Sequence, residues 1–121
     1  MRLGRRFVWD PCREKKNWIK LQIAQQVTET IDCPVEVEMK FFMKIPSGFT
    51  KKIMREIKAG TYPHRKKPDI DNIAMLYMNC MNEIVYTDDR QIYKLLLTKA
   101  YDENPRVEIF VKYEDGIDEQ E

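Results

Sequence analysis

No stretch of this chain approaches the roughly twenty consecutive apolar residues that a membrane-crossing helix needs. The opening Met1-Arg-Leu-Gly-Arg-Arg6 also lacks the apolar core of a secretory leader, so the protein is expected to be soluble and cytoplasmic, with no membrane partner. Cysteine is scarce as well. Cys12, Cys33 and Cys80 are odd in number and lie away from any histidine cluster, which excludes a disulfide framework and a zinc knuckle. There is a single histidine, His64. No segment repeats another and none is of low complexity. What remains is a globular composition, 43% hydrophobic and 11% aromatic, in 121 residues that leave room for one core and one domain.

The net charge of +1 hides a gradient along the chain. Residues 1–68 carry 16 Lys or Arg against 7 Asp or Glu, whereas residues 102–121 carry 2 against 8. A basic half can offer a polyanion a landing surface even when the whole molecule is nearly neutral. A solvated surface with an acidic tail at 115–121 explains the same numbers, so the motifs must decide.

Trp9-Asp10-Pro11 places a capping side chain before a proline suited to the first helical position, and apolar residues then recur at threes and fours to Ile31, predicting a helix. From Val35 to Ile45 the apolar residues fall on every second position, the pattern of a half-buried strand. Pro46-Ser-Gly48 predicts a turn, 49–59 a short basic helix stopped by Gly60, and 60–68 a loop. Ile70, Ile73, Tyr77, Cys80 and Ile84 share one helical face. Two more strands, 91–101 and 106–113, are separated by a short connection that suits an antiparallel hairpin. The expected fold is α+β, a small mixed or antiparallel sheet of three strands with helices packed on it, spanning residues 1–114 as a single domain.

The chemistry concentrates in Lys67-Pro68-Asp69-Ile70-Asp71-Asn72, followed seventeen residues after Asp71 by Asp88-Asp89. If Asp69 to Asp71 is extended, both carboxylates point to one side, while Asp71 is also placed to cap the helix that follows. Two carboxylates ~5 Å apart repel by roughly 3 kcal/mol at an effective dielectric near 20, so a site that gathers three must supply cations. Hard divalent ions, Mg²⁺ or Mn²⁺, suit such oxygen donors, and His64, Arg65, Lys66 and Lys67 stand ready beside them for a phosphate. Caps and turn fillers would use the same aspartates without any metal.

The run Lys67 to Asn72, a helix, then Tyr86-Thr-Asp-Asp-Arg-Gln-Ile92 and Pro105-Arg-Val-Glu-Ile109 resembles the RusA-type Holliday junction resolvases, and Arg5-Arg6-Phe7-Val8-Trp9-Asp10-Pro11 is similar to the end of their opening segment. The resemblance implies a homodimeric, metal-dependent endonuclease that nicks branched DNA in recombination and repair. It implies Asp69, Asp71 and Asp89 as catalytic carboxylates, with Asp88 joining them as metal ligands of Mg²⁺ or Mn²⁺. Arg5, Arg6, Lys15, Lys16, His64, Arg65, Lys66 and Lys67 are the expected DNA contacts.

Three departures from the family pattern stand out. Met75 occupies the place of a lysine one helical turn after Asp71, Asn79 that of an acidic residue, and the resemblance implies a strand ahead of the residues where this sequence starts, which is expected to be missing. A lost cation costs roughly a hundredfold or more in rate if it served the transition state. Lys94 and Lys99 are candidate substitutes, together with Lys66 and Lys67. The alternative is a catalytically weak or inactive module that binds a DNA junction or a protein.

Overall fold

A computed structural model describes residues 2–9 and 16–114, without the side chains of Arg2, Leu3, Val8 and Trp9. The expected helix start at Trp9-Asp10-Pro11, Lys15, and the acidic segment 115–121 lie outside the described residues or side chains. In chain order the elements are β1 (Arg2–Trp9), α1 (Lys16–Gln26), β2 (Val35–Lys44), α2 (Lys51–Lys58), α3 (Ile70–Met81), a one-turn 3-10 helix (Asp89–Gln91), β3 (Ile92–Asp102) and β4 (Arg106–Glu114).

The four strands make one mixed sheet in the order β1-β4-β2-β3. β2 lies parallel to β3 and antiparallel to β4, and β4 pairs with β1 antiparallel. The fold is therefore α+β, but with four strands where the pattern predicts three. β1 escapes the alternation test because Arg5-Arg6 interrupts its apolar pattern, and only Phe7 of its described side chains is buried.

The expected hairpin does not form. β3 and β4 do not pair with each other, because β2 sits between them and bonds to both. Two inter-strand spacings are about 9.6 Å, a gap that the three connecting residues 103–105 can bridge. β2 earns the inner position by its alternation: Val35, Val37, Met39 and Phe41 are buried on one face. Val107, Ile109 and Val111 of β4 join them, and α1 (Ile19, Ile23) and α3 (Ile73, Ala74, Tyr77, Cys80, Met81) complete that core. Phe41 and Tyr77 meet with ring centroids 5.6 Å apart.

The first helix stops at Gln26 rather than Ile31. The β-branched, polar run Thr28-Glu-Thr-Ile-Asp32 is a weak helix former. Ile31 instead bridges to Tyr86, its N–H donating to the Val85 carbonyl at 2.8 Å. α2 is capped at its start by Thr50, whose Oγ1 accepts from the Ile53 N–H, and is followed by Gly60 in the left-handed region (φ 75°). Among the described residues no helix is long and apolar enough to cross a membrane.

Candidate active site

α3, β3 and the residues leading into them position the aspartates and the candidate lysines that the sequence singles out. α3 forms because its apolar residues recur at helical spacing, and it begins one residue after Asp69. Asp69 stands at the N-cap in extended conformation, with its carbonyl accepting from the Ile73 N–H, yet its carboxylate makes no capping hydrogen bond. Asp71 is already helical, in the first turn, so Asp69 to Asp71 is not one extended unit and Asp71 is not the cap. Helical placement one residue earlier than the extended reading requires follows from Ile70 joining the helix. Both side chains are exposed. Negative charge is favoured there by the free N–H groups and the helix dipole.

At the other end of α3 the chain turns sharply through Glu83, which adopts φ 66°, its N–H donating to the Tyr86 carbonyl. Asp88 then caps the 3-10 helix: its Oδ1 accepts from the Arg90 N–H at 2.9 Å, and its own N–H donates to Gln91 Oε1 at 2.8 Å. The Arg90 backbone bond, above all, holds the Asp88 carboxyl below the usual aspartate value. Gln91 Nε2 donates to the carbonyls of Ile31 and Cys33, fixing this corner to the start of β2. Asp88 is thus engaged in shaping the turn, while Asp89 follows it in the first turn of the 3-10 helix. Burial pushes the Tyr86 hydroxyl well above its ordinary pKa, and Asp89 and Asp88 push it the same way.

The two acidic motifs do not meet within one chain. The 12 residues of α3 separate them by about 18 Å of helix. Among the described residues no group of three Asp, Glu, His or Cys side chains is placed to hold a metal ion. The strand that follows Asp89 does run back towards the first motif, and what it delivers there is Lys99. Lys99 Nζ donates to the carbonyls of Lys66 and Pro68 at 2.7 and 2.8 Å, directly before Asp69. Lys94 lies near the opposite end of β3, paired in register with Glu36.

The basic residues are divided as well. Arg65, Lys66 and Lys67 are exposed beside Asp69, on the β3 side of the sheet. Arg5 and Arg6 belong to β1 at the opposite edge, about 14 Å away across three strand spacings. Arg5 donates to the Glu29 carbonyl and Arg6 to Glu108, so both are partly engaged. Lys16 is exposed at the start of α1. His64 packs its ring 4.6 Å from that of Tyr101, and burial, with Lys99 adding to it, lowers its pKa, so the imidazole is neutral near pH 7.

Residues 4–112 match the family described as "Endodeoxyribonuclease RusA". The chain belongs to the RusA family. It is also 31% identical over 117 residues to a Bacillus subtilis (strain 168) protein described as "Uncharacterized protein YqaN", covering 93% of this chain and 82% of that one. RusA proteins are endodeoxyribonucleases of the Holliday junction resolvase type, act on branched DNA, and are in general metal-dependent. Against that background Met75 is notable for being 54% exposed, an apolar side chain on the surface one turn beyond Asp71, with Asn79 exposed one turn further.

One neighbour of the acidic corner escapes sequence reasoning. Asp32 accepts a hydrogen bond from Thr87 Oγ1 and joins Asp88, Arg90 and Tyr93 around an open depression of about 500 Å³. It precedes β2 in no recognisable motif, and its approach to Thr87 spans 55 residues, so local pattern carries no signal for it.

Proposed function

We propose that this RusA-family chain is a cytoplasmic, homodimeric, Mg²⁺- or Mn²⁺-dependent endonuclease that cleaves phosphodiester bonds in four-way DNA junctions during recombination and repair. The observation that carries the reading is the pair Asp69 and Asp71: exposed carboxylates at one helix start, neither in a side-chain hydrogen bond among the described residues, beside Arg65, Lys66 and Lys67. Two acids tied up as caps would argue for a purely structural use; these are not.

A second copy supplies what one chain keeps apart. β3 is an edge strand along which Tyr93, Leu95 and Leu96 are 63%, 39% and 53% exposed, Leu95 and Leu96 on opposite faces of the sheet. A two-fold axis near Lys94, pairing Ile92 with Leu96 of the other copy antiparallel, sets Asp89 of one chain level with Lys99 of the other. Asp89 of one chain then approaches the segment holding Asp69 and Asp71 in the other, and two such sites arise per dimer. That symmetry suits a junction, whose continuous and exchanging strands are themselves related by two-fold symmetry.

In this arrangement Asp69 and Asp71 of one copy and Asp89 of the other would hold the divalent ion, with Asp88 fixing the turn that presents Asp89. The donor chemistry fits: all are carboxylate oxygens, the ligands that Mg²⁺ and Mn²⁺ prefer. When bound, such an ion supplies Lewis-acid polarisation of the phosphoryl group and a more acidic water. The chain's own basic residues bind and orient the phosphates.

Cleavage of a synthetic four-way junction in Mg²⁺ by the parent chain, and its loss in Asp71→Asn, tests the reading. Binding of the junction without cleavage by the parent chain would favour the alternative that the exposed Met75 suggests, a junction-binding module without turnover. Calorimetric titration with Mn²⁺ separates both from a domain whose aspartates are only caps, since the cluster should bind and Asp71→Asn should bind far less.

A further inference from the structure

A carboxylate site acting on a phosphate calls for a cation beside it. The geometry points to Lys99 as the side chain that supplies it, an assignment that rests on the nuclease reading above and goes beyond it.

Four lysines are near enough in sequence or fold to be considered, and the structure separates them. Lys66 and Lys67 are exposed on the loop itself, and among the described residues no side-chain hydrogen bond or ion pair holds either ammonium in one place. Lys94 is placed near the opposite end of β3, some five residues nearer the Asp89 corner, roughly 16 Å along the strand. It also lies in register with Glu36, on the sheet face away from α1 and α3. Lys99 lies in register with Phe41, whose side chain is in the core, and therefore on the same side of the sheet as α3.

Lys99 is also held. Its ammonium carries three donors, and two of them go to the Lys66 and Pro68 carbonyls at 2.7 and 2.8 Å. Those carbonyls belong to the residues that lead straight into Asp69, so the ammonium is fixed against the backbone of the acidic motif. The third donor remains for a phosphate oxygen. Lys99 is only half-buried, and after burial it is the next cause that lowers the pKa of His64, three residues before Lys67. On α3 itself the position that could reach forward from Asp71 is Met75, which offers no charge and is 54% exposed. A fixed, partly solvent-accessible cation on the acidic side of the sheet is what stabilises charge developing on a phosphoryl group, and a preorganised donor of this kind needs no rearrangement when the reaction occurs.

The test is single-turnover cleavage of a four-way junction in Mg²⁺ by the full chain and its variants, with junction affinity measured in Ca²⁺ and folding followed by thermal denaturation. Lys99→Met should lower the cleavage rate about a hundredfold while junction affinity stays within about threefold. Lys99→Arg, which keeps the charge and two or more donors, should retain activity within about tenfold of the parent chain. The double variant Met75→Lys with Lys99→Met should regain at least about tenfold over Lys99→Met alone, because a lysine at 75 brings an ammonium to the same acids from the helix side. A role confined to anchoring the loop would give a loss that neither variant repairs, and that result overturns the proposal. So does parent-like cleavage by Lys99→Met; loss of cleavage in Asp71→Asn would then still uphold the nuclease reading. Absence of cleavage by the parent chain removes that reading and the Lys99 assignment together. If Lys99→Met does not fold, the Lys99→Arg rate decides, and a fall beyond about a hundredfold in that folded variant counts against it.

Discussion

Glu108 is the one charged residue buried among the described residues, and it shows how this sheet tolerates a carboxylate on the face that lacks helices. Burial by itself would raise its pKa; hydrogen bonds from Arg6 and Arg106 outweigh that and hold the carboxyl below the usual glutamate value. Arg6 approaches at 2.6 Å, and Arg106, bonded through Nε, also lies over the Phe42 ring with its carbon 3.9 Å from the centroid. Glu108→Gln should therefore destabilise the protein by about 1–3 kcal/mol near pH 7. Because the folded pKa is lowered, this contribution is complete above the usual glutamate value and disappears as pH falls through the lowered one. Urea melts of parent and variant between pH 7 and pH 3 should converge at the acid end; a constant gap would refute the assignment. The aspartates give a contrasting pair. Asp88 caps a turn, so Asp88→Ala should lower the midpoint of urea unfolding. Asp69 makes no cap bond, so Asp69→Asn should leave stability within about 0.5 kcal/mol while Mn²⁺ affinity falls sharply.

At the scale of elements, what was legible in the chain was what repeats over short distances. β2 announces itself by five alternating positions and α3 by Ile73, Tyr77 and Cys80 on one side, and both are found where their periods place them. The insertion of β2 between β3 and β4 was not legible, since strand order is decided by contacts among residues 57 to 78 positions apart. β1 was hidden for a different reason: its pairing with β4 spans the whole chain, and its arginines break the apolar pattern. The acidic motifs were legible as candidates, but not their separation by the length of α3, nor the bond from Lys99 to a carbonyl 33 positions away. The uncovered edge of β3 carries its own prediction. Leu96 is half exposed, so a charge there should be harmless to the monomer's fold and harmful to pairing of two edges. Leu96→Lys should convert a dimer to a monomer in light scattering at unchanged helical content, whereas an unchanged mass would place any dimer contact elsewhere.

For the whole molecule the question is whether each site is built from one chain or two. Within a chain the separation is fixed by rigid elements: α3 is packed into the core through five buried residues, and β3 runs about 23 Å between Ile92 and Lys99. No local adjustment brings Asp89 to Asp71 across that distance without taking the core apart, so a carboxylate trio needs a second chain. The two arrangements differ in how inactive variants combine. Asp71→Asn and Asp89→Asn homodimers are each expected to be inactive. If sites are shared, a heterodimer of the two has one site carrying both substitutions and one carrying neither, so mixing after mild unfolding should restore nicking to a substantial fraction of the parent rate. If each site belonged to one chain, every site in the heterodimer would still carry a substitution and the mixture would stay inactive. Addition of Leu96→Lys to both partners should abolish the restored activity, which ties complementation to the β3 edge instead of to an exchange of some other kind.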